Sequence, residues 1–275
     1  MSSTAQLQDI SDHFQLVPAP WKCKGESFVF ATYISKKASY PSNASFNPLE
    51  AGSSFADPAV TGEFHGGLGM IMVIRYKETP VGSYDELLWI PGTFTVPPTG
   101  QRALRITRMY VSEMPTIYNG RINWSVPKTR AHFTFTPSEH GAQGVPYSRI
   151  SLAPLSHPDR PFFSVDLSPT RFFATARIPF DGNMIPKSLV YVVHPPVPQS
   201  PNWKEDGMVG SDQWLGCPFV MKGKAGLFWG TGGLEGGKYG DEVGFPDVRP
   251  WSLGVWIPDA DIYFATGDII GKKDV

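Results

Sequence analysis

Two stretches set charged side chains directly against apolar, strand-like runs. In Tyr76–Gly92 (YKETPVGSYDELLWIPG) a Pro-Val-Gly turn delivers the acidic pair Asp85-Glu86 into the apolar run Leu87–Ile90. Such a carboxylate is either a solvated strand end or an inward-pointing group able to move protons, and the local pattern favours the first. In Gly120–Phe135 (GRINWSVPKTRAHFTF) Lys128 follows Pro127 and enters a strand. A lysine there is ordinarily a solvated edge residue, so local pattern alone assigns Lys128 no chemistry.

Other constellations fall away. The histidines at 13, 65, 132, 140, 157 and 194 show no HxxxH or HxH spacing, there is no CxxC, and no metal is expected. His132 reads as an ordinary strand histidine, and the proximity of His65 to Glu63 as accidental. Gly66–Gly69 and Gly230–Gly233 fit neither a P-loop nor the strand–turn–helix setting of GxGxxG. They read as turns and bulges, with a corner or bulge at 67–69. No GxSxG elbow is present.

The elements that must position these residues are mostly strands. Glycine (28) and proline (27) make up about a fifth of the chain and punctuate short runs rich in β-branched and aromatic residues. The runs are Ser27–Ile34, Met70–Tyr76, Leu87–Ile90, Leu104–Val111, His132–Thr136, Arg149–Leu152, Phe162–Leu167, Phe172–Ile178, Leu189–Val193, Gly226–Trp229 and Ser252–Ile257. This pattern predicts an antiparallel sandwich or barrel. Leu7–Phe14 reads as a short helix. A better helix runs from Ser112 to Asn123, with Ser112 as N-cap and Glu113 and Pro115 in its first turn. Val197–Gly210 and Thr231–Val243 read as loops, the second as the most flexible. Strands resume after each, so residues 1–275 read as a single domain.

Bulk properties exclude several classes of function. The 275 residues are 41% apolar and 18% charged, with a formal net charge of −1 and no run of more than two Lys or Arg. Nucleic acid is therefore not an expected partner. No apolar run approaches a membrane span, and the first 21 residues lack the pattern of a secretory signal. Two distant cysteines, Cys23 and Cys217, form no disulfide framework, and a cytoplasmic location is expected. The glycosylation patterns at Asn43 and Asn123 are then chance matches.

Read together and in order, TPVGSYDELLWIPG, RITRMYVS and NGRINWSVPKTRAHFTF resemble the acetoacetate decarboxylase-like superfamily, in particular its fungal-type branch. The match is specific over roughly Thr79–Phe135, and Phe172–Pro186 and the closing strands are compatible with it. The resemblance implies a mainly β (α+β) fold: a closed or cone-like antiparallel β-barrel with a central apolar pocket and a few peripheral short helices. It implies a homo-oligomer acting on a small molecule. No organic cofactor is implied, because a lysine forming a Schiff base is itself the electrophilic catalyst.

Carried over residue by residue, Lys128 in Pro127-Lys128 matches the imine-forming lysine. Glu86 matches a pocket glutamate that relays protons or orients substrate. Arg121 in Gly120-Arg121 matches an arginine able to pair with a carboxylate. Tyr84, Trp124 and Trp89 lie beside these motifs as candidate pocket walls. Three departures stand out. Thr129 replaces the second lysine of acetoacetate decarboxylase, so desolvation must lower the pKa of Lys128. No second acid stands in Gly69–Tyr76, and no N-terminal arginine in Pro18–Gly25.

The function expected is a lyase that forms a Schiff base with a keto acid or polyketide-like substrate and promotes decarboxylation, dehydration or retro-aldol cleavage. Two alternatives stand beside it. One is a cyclase or isomerase of secondary metabolism using the same pocket without an imine. The other is a non-catalytic small-molecule binder.

Overall fold

A computed structural model describes residues 14–36, 40, 43–139, 144–170 and 176–271. The strands are β1 (Trp21–Ile34), β2 (Phe64–Glu78), β3 (Tyr84–Ile90), β4 (Thr93–Val96), β5 (Gln101–Leu104), β6 (Arg108–Val111), β7 (Lys128–Arg130) and β8 (His132–Pro137). They continue with β9 (Tyr147–Ala153), β10 (Phe163–Pro169), β11 (Ile178–Asp181), β12 (Tyr191–His194), β13 (Leu215–Gly232), β14 (Leu253–Phe264) and β15 (Asp268–Ile269). The α-helices are α1 (Pro48–Ala51), α2 (Pro58–Thr61), α3 (Met114–Trp124) and α4 (Trp203–Asp206).

The mainly β reading stands, but the closed or cone-like barrel does not. All fifteen strands of the described residues belong to one branched sheet whose main path runs β7-β6-β3-β2-β4-β5-β12-β13-β10-β9-β8. β7 and β8 remain as edges, each paired on one side only, so the sheet does not close into a barrel. The physical reason lies in the long strands. β2 pairs with β1, β3 and β4, and β13 pairs with β10, β11, β12, β14 and β15, taking different partners along their lengths. Register shifts in β2 and β13 accompany those changes of partner, as bulges do when they bend a strand.

Alternation along these strands creates two cores, one on each face. Ile71, Val73, Leu87 and Trp89 join Phe28, Phe163 and Phe228 on one side. Met72, Ile74, Tyr76, Tyr84, Leu88 and Ile90 join Trp21, Met109, Ile117 and Trp124 on the other. A strand buried on both faces loses its polar alternation and reads as a continuous apolar run, which is why Leu87–Ile90 looks uniform in the sequence. Gly69 belongs to β2 and lies so close to β3 that a Cβ would sit 2.0 Å from the Ile90 carbonyl oxygen. Only glycine permits that approach.

The helix after β6 starts one residue later than the sequence suggests. Glu113 occupies the N-cap position, while the Ser112 hydroxyl accepts the Asp85 N–H at 2.9 Å. Ser125 ends α3 in the left-handed region (φ 52°), its N–H donating to the Arg121 carbonyl at 3.1 Å. α3 is buried on nearly every side, and its asparagines are paired. Asn119 Oδ1 accepts the Val17 N–H at 2.7 Å, and Asn123 Nδ2 donates to the Val17 carbonyl at 3.0 Å.

The run Leu104–Val111 divides between β5 and β6, Gly226–Trp229 lies within the much longer β13, and Ser252–Ile257 begins the longer β14. The helix at 7–14 falls outside the described residues except for Phe14, and so does most of the strand at 172–178. The 197–210 segment contains α4 and is docked, with the Pro198 and Val209 carbonyls accepting from Arg121. In the 231–243 segment Tyr239 is buried and donates to the Gly230 carbonyl at 3.0 Å. Among the described residues no helix is long and apolar enough to cross a membrane.

One buried ion pair fastens α3 to the segment before β2. Arg121 Nη1 lies 2.8 Å from Glu50 Oε1, and both side chains are essentially inaccessible. Removing one partner leaves a buried charge unpaired. Glu50→Ala is expected to lower the unfolding free energy by ~3–5 kcal/mol in urea denaturation, and Glu50→Gln, which keeps an acceptor, by less.

Candidate functional site

The connection β6–α3–β7 brings Lys128 opposite Glu86. β6 and β7 are parallel, which requires a crossover, and α3 supplies it. The pairing sets Met109 beside both Lys128 and Leu88, and Val111 beside Glu86. Lys128 therefore starts one row away from Glu86 on the same face, and its long side chain covers the difference. Its ammonium nitrogen ends 2.8 Å from Glu86 Oε2 and 2.8 Å from Thr116 Oγ1.

The local sequence makes room for this path. Gly120 faces the lysine stem, and a Cβ there would lie 2.8 Å from both Cδ and Cε of Lys128. Thr116 stands one helical turn earlier and so shares that face. Upstream, Asn47 Nδ2 donates to the Pro127 carbonyl at 2.5 Å and to the Met109 carbonyl at 3.3 Å, pinning the turn that introduces Lys128. Tyr76 OH donates to the other Glu86 oxygen, Oε1, at 3.2 Å. The Tyr84 ring centroid lies 5.2 Å from the Lys128 nitrogen, within cation–π range.

Above the pair lies a small cavity, about 40 Å³ of room for the centres of water-sized spheres. Met72, Leu88, Ile90, Ile106, Met109 and Val126 supply much of its wall, and Trp21, Trp124 and Phe264 add aromatic surface. Among the described residues Lys128 and Glu86 are the charged ones that border it, and no arginine does.

The other titratable groups at this site stay neutral near pH 7. Burial pushes the Cys23 thiol, close enough to feel both charges, up to about 12, and the cavity-lining Cys217 thiol also up to about 12. Burial, followed by the Glu86 charge, holds the Tyr76 and Tyr84 phenols well above their ordinary range. Burial, reinforced by the Arg105 charge, brings His194 down to about 3, and its Nε2 accepts the Ile106 N–H at 3.3 Å. With both thiols protonated and the imidazole engaged, the lysine amine is the nucleophile available in the cavity.

Of the residues singled out in the sequence, Lys128, Glu86, Tyr84 and Trp124 border one cavity. Trp124 Nε1 donates to the Ala265 carbonyl at 2.8 Å and leaves the ring against Trp21 and Phe264. Trp89 is on the opposite face of β3, packed between Tyr40 and Phe245, because it lies three positions from Glu86 in a strand of period two. Arg121 is not at the cavity. Its donors go to Glu50 and to the carbonyls of Pro198, Val209 and Lys128, so the carboxylate it pairs with belongs to the protein.

Thr116, Gly120, Tyr76, Asn47 and His194 were not singled out. The i, i+4 spacing of Thr116 and Gly120 on the predicted helix was the one local signal, while the others depend on strand register and long-range contacts. Among the described residues no group of three or more His, Cys, Asp or Glu is placed to hold a metal ion.

No model of a known protein family matches the chain, and no curated protein resembles it in sequence. Solved structures share its fold. Acetoacetate decarboxylase from Legionella pneumophila superposes with a TM-score of 0.56 at 14% identity, over 92% of this chain and 88% of that one. The enduracididine biosynthesis enzyme MppR, in complex with pyruvate, gives 0.55 at 14% identity over 93% and 92%. An acetoacetate decarboxylase-like enzyme from Sphingomonas wittichii gives 0.56 at 11% identity over 93% and 95%. The likeness is to the fold of the acetoacetate decarboxylase-like superfamily, and nothing in it points to a fungal-type branch.

The neutral, buried His194 makes stability depend on pH. Its folded value, about 3, lies below the ordinary 6.5, so the unfolded chain binds a proton that the folded chain excludes. The contribution is fully present above 6.5 and is lost on acidification toward 3. In that window wild-type protein is expected to lose stability more steeply than His194→Gln, which keeps an acceptor for Ile106, by up to about 1.4 kcal/mol per pH unit. Urea unfolding at several pH values reads the two slopes, and parallel profiles would sink the assignment.

Proposed function

We propose that this chain is a lyase of the decarboxylase type that acts on a carbonyl compound through an iminium formed at Lys128. The observation that carries the reading is the lysine nitrogen 2.8 Å from both Glu86 and Thr116 in a cavity whose other lining groups are uncharged. The shared fold with acetoacetate decarboxylase, and with MppR determined in complex with the oxo acid pyruvate, supports it.

The chemistry runs as follows. The Lys128 ammonium passes a proton to Glu86, and the free amine adds to the substrate carbonyl carbon. The carbinolamine then loses its oxygen as water, with protons returned through Glu86, leaving an iminium beside a carboxylate. That cation accepts the electron pair of a bond next to the former carbonyl, whether that bond joined a carboxylate leaving as CO₂, a carbon fragment leaving as a carbonyl compound, or a proton that Glu86 removes so that the enamine can expel a β-hydroxyl as water. The resulting enamine takes up a proton, and water hydrolyses the iminium to restore the amine. Thr116 holds the amine on the Glu86 side, and Tyr76 orients the carboxylate through its second oxygen. Arg121, paired with Glu50, is a positioning residue for α3.

The same ion pair also fits acid–base steering of a cyclisation or isomerisation with no covalent step, and trapping separates the two. Borohydride with an oxo-compound panel is expected to fix one substrate mass on Lys128, seen by peptide mass spectrometry, and to fix none in Lys128→Met. Glu86→Gln is expected to slow adduct formation by about 10²–10⁴-fold. Turnover that survives in Lys128→Met, with no adduct in wild type, would select the non-covalent alternative.

A further inference from the structure

The space above Lys128 is too small for the whole of a substrate larger than a few atoms. A single water needs about 10–15 Å³ by the same measure, so about 40 Å³ admits a carbonyl head and little more. A second cavity lies directly against it and measures about 250 Å³. The two share walls at Met72, Ile90, Val192 and Phe219.

Among the described residues this annex is lined by apolar side chains and the Gly182 backbone. Its walls come from β1, β2, β3, β5, β11, β12, β13, β14 and the short turns at Gly182–Met184 and Lys187–Leu189, and no charged or hydroxyl-bearing side chain of the described residues borders it. Val29 and Val255, opposite one another across β1 and β14, are half-buried, as are Met70, Phe180 and Leu189. The annex therefore lies near the surface at one side and shares a wall with the lysine cavity at the other. Interiors are ordinarily close-packed, so an open apolar space of this size is shaped for an occupant.

We propose that the annex binds the apolar tail of the substrate, and that Lys128 acts on an oxo compound whose carbonyl head continues into an uncharged hydrocarbon portion. The proposal rests on the iminium reading of Lys128 and adds the substrate class. Three observations combine in it: a head cavity bordered by one ion pair, shared walls, and an annex whose described lining offers nothing to a charged or strongly hydrated tail. A polar tail would leave its water without finding a partner, whereas a hydrocarbon tail gains from leaving water. Among the described residues the head cavity also has no arginine to hold a substrate carboxylate, so neutral ketones are suitable probes.

The test compares acetone with methyl ketones bearing progressively longer straight alkyl tails, up to hexyl methyl ketone. The half-saturating concentration for borohydride-trapped Lys128 adduct is expected to fall at least about tenfold from the shortest to the longest. Val29→Trp and, independently, Val255→Trp should drive that ratio toward one by filling the annex. A ratio flat across the series in wild-type protein, or unchanged in both tryptophan variants, overturns the proposal. If no ketone labels Lys128, the covalent reading fails, and calorimetric titration of hexyl methyl ketone into Lys128→Met protein decides the annex alone. Binding that Val29→Trp abolishes supports the annex, and absence of binding overturns it.

Discussion

A lysine ammonium buried among apolar side chains must have a carboxylate against it, and much of the structure around Lys128 serves that requirement. Removing an ion from water costs several kcal/mol even after relaxation, and only close partners offset it. Glu86 and Thr116 sit at hydrogen-bond distance, and Tyr76 satisfies the second carboxylate oxygen. The parity of β3 turns Glu86 inward, the parallel pairing of β6 with β7 brings Lys128 alongside, and Gly120 leaves a gap for the lysine stem.

A second buried ion pair shows what makes the first one different. Arg121 and Glu50 are as deeply buried, but Arg121 is packed against carbonyls on several sides and does not border the lysine cavity. A guanidinium does not give up its proton under ordinary conditions, whereas an amine can. The arginine pair therefore locks α3 in place. The lysine pair borders open space and can exchange its proton and its bonding partner. The same helix presents Gly120 to the cavity side and Arg121 to the docked 197–210 segment, one residue apart.

How much of this was legible in the sequence follows from the range of each interaction. Strand-rich character, the helix near 113–124 and the charged residues flanking apolar runs are local and could be read directly. Trp89 was misplaced because β3 is apolar on both faces, so its alternation carries no visible sign of which face meets the cavity. Arg121 was expected to meet a substrate carboxylate, but its partner Glu50 lies 71 positions away, beyond any local pattern. The barrel expectation failed for a related reason: β2 and β13 change partners along their length, and strand pairing is not written in composition. The apolar annex is assembled from strands and turns distant in the chain and left no motif.

The central claim is that Lys128 becomes covalently bonded to a carbonyl carbon. Each cycle of iminium formation and hydrolysis replaces the carbonyl oxygen with one from water, whether or not any later bond breaks. A methyl ketone labelled with the heavy oxygen isotope should therefore lose its label much faster with wild-type protein than in buffer. Lys128→Met protein should leave the label to exchange at the buffer rate. Washout that persists unchanged in Lys128→Met, or a wild-type rate no faster than buffer for every ketone tried, would contradict the account.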